Sequence, residues 1–163
     1  MAHKNAVQPR TAEEHRVIRA FHTAFMTMMR QFDADLQREH RLSHTEYVAM
    51  DFLVEAPDRT LGLSDLAARC QQSLSAISRA VGRLEAQGLV RREQSTRDAR
   101  AYNAVLTDAG LQRYNEATPT HNTSLRRYLF DQLEGIDLEA FGDALQRISA
   151  AADHRTTVPS PTS

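Results

Sequence analysis

The chain is short of the features that would take it outside the class of ordinary globular proteins of a reducing compartment. It has one cysteine, Cys70, which excludes an intrachain disulfide and fits a reducing environment. No stretch approaches the roughly 18 apolar residues of a membrane span. The opening residues, MAHKNAVQPRT, lack the apolar segment of a secretion signal, so the expected location is cytoplasmic, with no membrane partner. Charge of one sign is not in excess either, the formal net charge being −1, and the molecule as a whole is no polycation.

Chemical motifs are equally scarce. There is no Gly-rich phosphate loop, no Gly-x-Ser-x-Gly and no His-Glu-x-x-His, and the carboxylates are scattered in the manner of solvated helix surfaces. No enzymatic activity, cofactor or catalytic residue is expected. Seven histidines invite a metal reading: His40 and His44 flank Ser43, and His15 and His22 lie seven apart. Without a Cys-x-x-Cys or further ligands such pairs make weak sites, so no metal is expected. Cys70 follows Leu66 and Ala67 at the end of a short helical pattern, where a packed, unreactive thiol is expected.

What is present suits one domain, or a domain with an appendage. The chain has 163 residues, 41% hydrophobic and 25% charged, enough to bury a real core. The charge is unevenly distributed. Between Ser64 and Thr107 stand Arg69, Arg79, Arg83, Arg91, Arg92, Arg97 and Arg100 against Asp65, Glu85, Glu93 and Asp98, a local surplus of three on a body that must carry −4. A basic patch on an acidic body is the footprint of a local nucleic-acid site.

In chain order, residues 1–11 are a polar arm. A long helix is expected from Ala12 to about Glu39, with Thr11 as N-cap and a stripe of Ile18, Phe21, Phe25, Met28 or Met29, Phe32 and Leu36. So apolar a helix in a small protein calls for a large partner surface, most simply a second copy of the chain. Ser43 and Glu46 form a capping box for the next helix, which Pro57 and Asp58 end. Leu61-Gly62-Leu63 reads as a strand, Ser64 as the cap of a helix over Asp65–Cys70, and Gln71-Gln72 as a turn. Ser73 then caps a second short helix. Its Leu74, Ile77, Val81 and Leu84 recur at steps of three and four and should face the core. Ser75, Ala76, Ser78, Arg79, Gly82 and Arg83 share the other side, small or hydrogen-bonding side chains of the kind a helix needs to read base edges. Gly88 is placed as the glycine that closes this helix.

Strands over Leu89–Glu93 and Tyr102–Leu106 follow, joined by a polar basic wing, Gln94–Ala101. Thr107 caps a helix that meets Pro119, where a bend or break near Thr118 and a restart through Leu125 are expected, because an interior proline costs about 3 kcal/mol. Asp137 caps a last helix, and 153–163 is a loose tail.

Helix, short connection, helix, glycine turn and basic hairpin is the order of a winged helix-turn-helix. At SAISRAVGRLEAQGLVRR, Asp98-x-Arg100 and Leu106-Thr107-Asp108-Ala109-Gly110 the chain resembles the MarR (multiple antibiotic resistance regulator) family of bacterial transcription factors, from about Glu13 to Ala152. The resemblance implies a mainly α-helical fold with a small β wing. A single domain over 12–152 would comprise a winged helix-turn-helix, 43–107, and dimerising helices, 12–40 and 108–152. It also implies a homodimeric, nucleoid-associated regulator of a neighbouring gene, usually a repressor, on a pseudopalindromic double-stranded operator.

Under that resemblance Ser75, Ala76, Ser78 and Arg79 lie nearest base edges, Arg79 being the first choice for guanine. Arg83 falls to phosphate, as do the hydroxyls of Ser73 and Ser75. In the wing, Arg100 would enter the minor groove and Asp98 would orient the loop through Arg92 or Arg97. The family often has an arginine where this chain has Ala99, and Arg97 can substitute for it. Oxidant-sensing relatives carry their cysteine in the N-terminal helical region, where this chain has none. Small aromatic or phenolic effectors bind family members between the dimer and DNA lobes, and Phe25, Met28, Met29, Tyr47 and Met50 have the composition for such a crevice. The competing reading is a winged helix used for protein interaction, which would not need arginines on the outer helix face and wing.

Overall fold

The computed structural model describes residues 9–95 and 101–153. The chain divides into two compact units, Met1–Leu125 and Arg126–Ser163. The first helix, α1, runs Ala12–His40, and the second, α2, His44–Glu55. Both begin with a complete capping box. Thr11 Oγ1 accepts from the Glu14 amide at 3.1 Å while Glu14 accepts from the Thr11 amide at 2.7 Å. Ser43 and Glu46 repeat the exchange at 3.2 and 2.8 Å. Two otherwise orphaned amides are satisfied at each helix start.

A 3-10 turn at Pro57–Arg59 leads into β1, Thr60–Gly62, then α3, Leu63–Arg69, and α4, Leu74–Ala86. Strands β2, Val90–Gln94, and β3, Tyr102–Leu106, complete an antiparallel sheet in the order β1-β3-β2. Leu61 lies opposite Ala104, and Arg92 lies opposite Ala104 on the other side. Helix α5 spans Asp108–Tyr128. In the second unit a 3-10 turn at Phe130–Leu133 precedes α6, Leu138–Asp153, whose start is capped by Asp137 Oδ1 accepting from the Glu139 and Ala140 amides.

The core of the first unit gathers Leu42, Tyr47, Met50 and Leu53 from around α2, Leu66 from α3, Ile77, Val81 and Leu84 from α4, and Leu89, Val90, Ala104 and Leu106 from the sheet. Leu36 from α1 and Ala117 from α5 close it. Helix α4 ends in a Schellman motif. Gly88, at φ 73°, sends its amide to Glu85 O at 2.9 Å, and the Leu89 amide reaches Leu84 O at 2.9 Å. Helix α3 closes with the same bonds, Gln71 to Ala68 O and Gln72 to Ala67 O, but puts Gln71 at φ 52°, a conformation glycine would adopt more cheaply.

Four expectations need correction. Helix α3 begins at Leu63 behind Gly62, and no side chain caps it, so Ser64 lies within the first turn. Leu74 is 52% exposed, and Ala80 fills the core position beside Ile77, Val81 and Leu84. Helix α5 continues through Pro119 without a break. The proline is exposed, and the hydroxyls of Thr118 and Thr123 donate back to Tyr114 O and Pro119 O at 2.8 and 2.9 Å, binding the helix on either side of the lost amide. The strands are each shifted by one residue from the expected bounds at β1 and β2.

Candidate nucleic-acid interface

Helix α4 is held from three sides, which leaves one face free. At its start Ser73 Oγ accepts from the Ala76 amide at 3.2 Å and lies 3.1 Å from Ser75 Oγ. On its inner side Ile77, Ala80, Val81 and Leu84 are fully buried. Across its sheet-facing flank lies Arg92 of β2. Its Nη2 donates to Ser78 O at 2.5 Å and Ser78 Oγ at 3.3 Å, and its amide donates to Glu85 Oε1 at 3.0 Å. Gly82 faces this guanidinium, and a Cβ there would stand in ordinary contact with Arg92 Nη2 at 3.5 Å. Toward α2, Arg83 Nε donates to Glu46 Oε1 at 2.5 Å, and the Glu46 side chain is only 4% exposed. The carboxylate that completes the α2 capping box therefore also anchors α4.

These contacts sort the arginines. Arg83 and Arg92 serve the position of α4, and Arg91 pairs with Glu93 at 2.6 Å. Arg69 and Arg79 are exposed, with no ion pair or hydrogen bond among the described residues. Arg79 stands on the outward face of α4 next to exposed Ser75 and half-buried Ala76 and Gly82. A guanidinium for which no carboxylate among the described residues competes, ringed by side chains too small to obstruct approach, is poised for an external acceptor pair. Ser78 is half-buried and its hydroxyl already faces Arg92, while Ser73 is the helix cap. Arg97, Asp98 and Arg100 lie outside the described residues. Arg92, offered above as one partner for Asp98, also holds α4 through Ser78.

The five residues considered for an effector crevice do not share one environment. Phe25 is exposed, Met28 and Met29 are half-buried on α1, and Tyr47 and Met50 belong to the core. Tyr47 is stacked on Tyr114 at 5.3 Å and lies 4.5 Å from the His121 ring. That aromatic group, which also takes in Phe32 and His44, was invisible in sequence because its members come from three helices. Burial pulls the His44 and His121 pKa values down, His121 to about 4, where repulsion from His44 adds to the burial. Nearby, burial and a 2.5 Å bond to Asp51 raise the Tyr114 phenol.

His40 and His44 stand four apart, the spacing of a helical metal pair, but α1 ends between them and His40 Nε2 is engaged with Thr120 Oγ1 at 2.9 Å. Among the described residues no three His, Cys, Asp or Glu side chains cluster as metal ligands, and no helix is long and apolar enough to cross a membrane. Burial pushes the Cys70 thiol up to about 11, which keeps it protonated and a poor nucleophile at neutral pH.

Comparison with known proteins agrees with this architecture. A sequence model of the MarR family matches residues 42–101. No match is found among the curated proteins. Among solved structures, Sco3205 of Streptomyces coelicolor, a MarR family transcriptional regulator crystallised in complex with DNA, is 31% identical over 91% of this chain and 92% of its own, with a TM-score of 0.85. AbsC, a MarR family transcriptional regulator of the same organism, is also 31% identical, covering 91% of this chain and 99% of its own at a TM-score of 0.82. BpsR of Bordetella bronchiseptica, whose DNA binding is regulated by 6-hydroxynicotinic acid, shares the fold at 17% identity, covering 87% of this chain and 98% of its own with a TM-score of 0.72. With the winged helix-turn-helix in place and a relative of that identity matched over nearly its whole length, the chain belongs to the MarR family of transcriptional regulators.

Proposed function

We propose that this protein is a sequence-specific regulator of transcription that binds double-stranded DNA as a homodimer, acting in the cytoplasm on nucleoid DNA. The observation that carries the reading is Arg79, exposed and without a partner among the described residues on the one face of α4 that the fold leaves open. In the major groove such an arginine reads guanine by a bidentate pair to O6 and N7. Ser75 and Ala76 beside it allow close approach, and Arg69 supplies charge for the phosphates. Arg97 and Arg100 belong to the wing and are assigned to the adjacent minor groove by family resemblance, with Asp98 orienting the loop.

Dimerisation is assigned to segments 12–40 and 108–152, flanking the DNA-reading segment 43–107. Support comes from α1, where Val17, Ile18, Phe21, Phe25 and Met26 are all about half exposed, and Phe21 and Phe25 stack at 6.2 Å. A contiguous apolar stripe of that kind is an interface in search of its other half. Helix α6 presents Leu138, Leu145 and Ile148 in the same exposed state. Two-fold symmetry then predicts a pseudopalindromic operator with half-sites about 10 bp apart, or a multiple of that. Repression of a neighbouring gene and release by a small aromatic or phenolic ligand complete the reading. Such an effector acts only by binding one arrangement of the reading heads better than another, and Phe25, Met28, Met29, Tyr47 and Met50 remain its candidate contacts.

Selection of bound sequences from random duplexes tests the reading. The expected product is a symmetric operator whose affinity falls steeply with salt. Arg79→Ala should then lose about 1–3 kcal/mol on the operator while changing little on random DNA. Indifference of the purified protein to every duplex at low ionic strength would overturn the function, and equal loss on operator and random DNA would remove Arg79 from its role.

A further inference from the structure

Leu74 is the first residue of α4, and its side chain is 52% exposed. Among the described residues from Leu42 to Leu106, only Leu74 and Tyr102 are large apolar side chains left so open. The fold does not ask for a leucine there. Ser73 supplies the cap, and Ile77, Ala80, Val81 and Leu84 supply the buried face. Burial of an apolar side chain is worth on the order of 1.5–3 kcal/mol, so a half-exposed leucine forgoes much of that in the free protein.

Its surroundings say what would restore that contact. Leu74 and Ser78 line one side of a groove whose other walls are the segment 57–65, with the carboxylates of Asp58 and Asp65, and the base of the wing at Ser95 and Tyr102. The hydroxyls on either side of it in sequence, Ser73 and Ser75, are paired with each other. The leading turn of the reading helix therefore offers one apolar surface among hydroxyls. The N-terminal residues of a recognition helix are the ones that meet base edges. On those edges in the major groove the one apolar group is the C5-methyl of thymine.

We propose that Leu74 is a specificity-determining residue that packs against a thymine methyl in each half-site. This rests on the DNA-binding function proposed above and adds a thymine to the guanine assigned to Arg79. The contact is direct and apolar, so it carries no salt dependence of its own and differs in kind from the arginine contact.

Deoxyuridine isolates the contact, because it keeps every hydrogen-bonding group of thymine and lacks only the methyl. Thymines of the selected operator are replaced one at a time, in one half-site and then in both. The unaltered protein should lose about fourfold in affinity at one position per half-site, and about fifteenfold when both are replaced, the worth of one buried methyl group each time. Leu74→Ser should bind the thymine operator more weakly and be insensitive to the replacement, whereas Leu74→Met, which keeps apolar reach, should retain the sensitivity. Both variants should melt with the parent, as Leu74 is outside the core. The proposal fails if no thymine shows the effect, or if Leu74→Ser shows it undiminished. If no operator can be selected at all, the function itself fails and the Leu74 assignment with it.

Discussion

At the scale of single residues, the molecule separates side chains that present a surface from side chains that hold it in place. Glu46 shows how tightly the second group is used: one oxygen completes a helix cap and the other anchors the recognition helix through Arg83. His121 belongs with it at a cost. Its Nδ1 is buried with no hydrogen-bond partner among the described residues, and its ring faces His44 at 5.4 Å. Burial holds its pKa near 4, against about 6.5 in an unfolded chain. Between those values the unfolded chain takes up a proton that the folded one refuses, so stability falls as pH drops from about 6.5 toward 4. His44, shifted the same way by burial, adds to the slope. Removing the imidazole in His121→Phe should flatten the fall, so that the melting temperatures of variant and parent draw apart in the variant's favour between pH 7 and 5. A separation that stays constant with pH would refute this account.

Elements are where the sequence could be read best, because helix ends are decided by neighbours in the chain. Thr11 with Glu14, Ser43 with Glu46, Ser73, Gly88 and Thr107 each act within a few residues and are found at the positions their chemistry implies. Features set by distant residues could not be read that way. Arg83 meets a carboxylate from another helix, and Arg92 reaches a carbonyl fourteen residues back. Leu74 looked like core because its spacing fits the apolar series, yet at the first turn it falls on the rim of that face. Pro119 looked like a break because a lost amide is costly, while the bonds that the Thr118 and Thr123 hydroxyls make within α5 leave no mark in the apolar spacing.

The junction of β3 with α5 gives the sharpest test at this scale. Thr107 Oγ1 donates to Gly88 O at 2.8 Å and accepts from the Gly110 amide at 3.0 Å, pulling the first turn of α5 onto the chain between α4 and β2. Gly110 is pressed so closely there that a Cβ would stand 2.0 Å from Leu89 O and 2.6 Å from Leu106 Cδ1. Since the nearest atom is backbone, Gly110→Ala cannot be relieved by a rotamer change. It should destabilise the fold by about 3 kcal/mol or more, read as a lowered midpoint in urea. A melting curve unchanged from the parent would show that this junction is looser than described.

On the scale of the whole molecule, the exposed stripe of α1 is the surface to which the proposed dimer is assigned. Phe21 is half exposed at its centre. Phe21→Glu should leave helicity intact and turn the dimer into monomers in sedimentation, with operator affinity lost far more steeply than affinity for a single half-site, because two linked contacts become one. A variant that remains dimeric would move the interface elsewhere.

The same helix carries a further consequence. Its outer part is greasy and open, while Phe32 and Leu36 toward its other end are buried. Twenty-nine residues of unbroken helix form a rod of about 43 Å. Such a rod is a lever with its fulcrum among Phe32, His44, Tyr47 and His121. About 30 Å of it lies beyond Phe32, so a swing of about 5° there carries the far tip roughly 2.6 Å, most of the rise of one base pair. In the dimer proposed above, a ligand seated at that fulcrum would be expected to shift the two reading heads by a distance of that order.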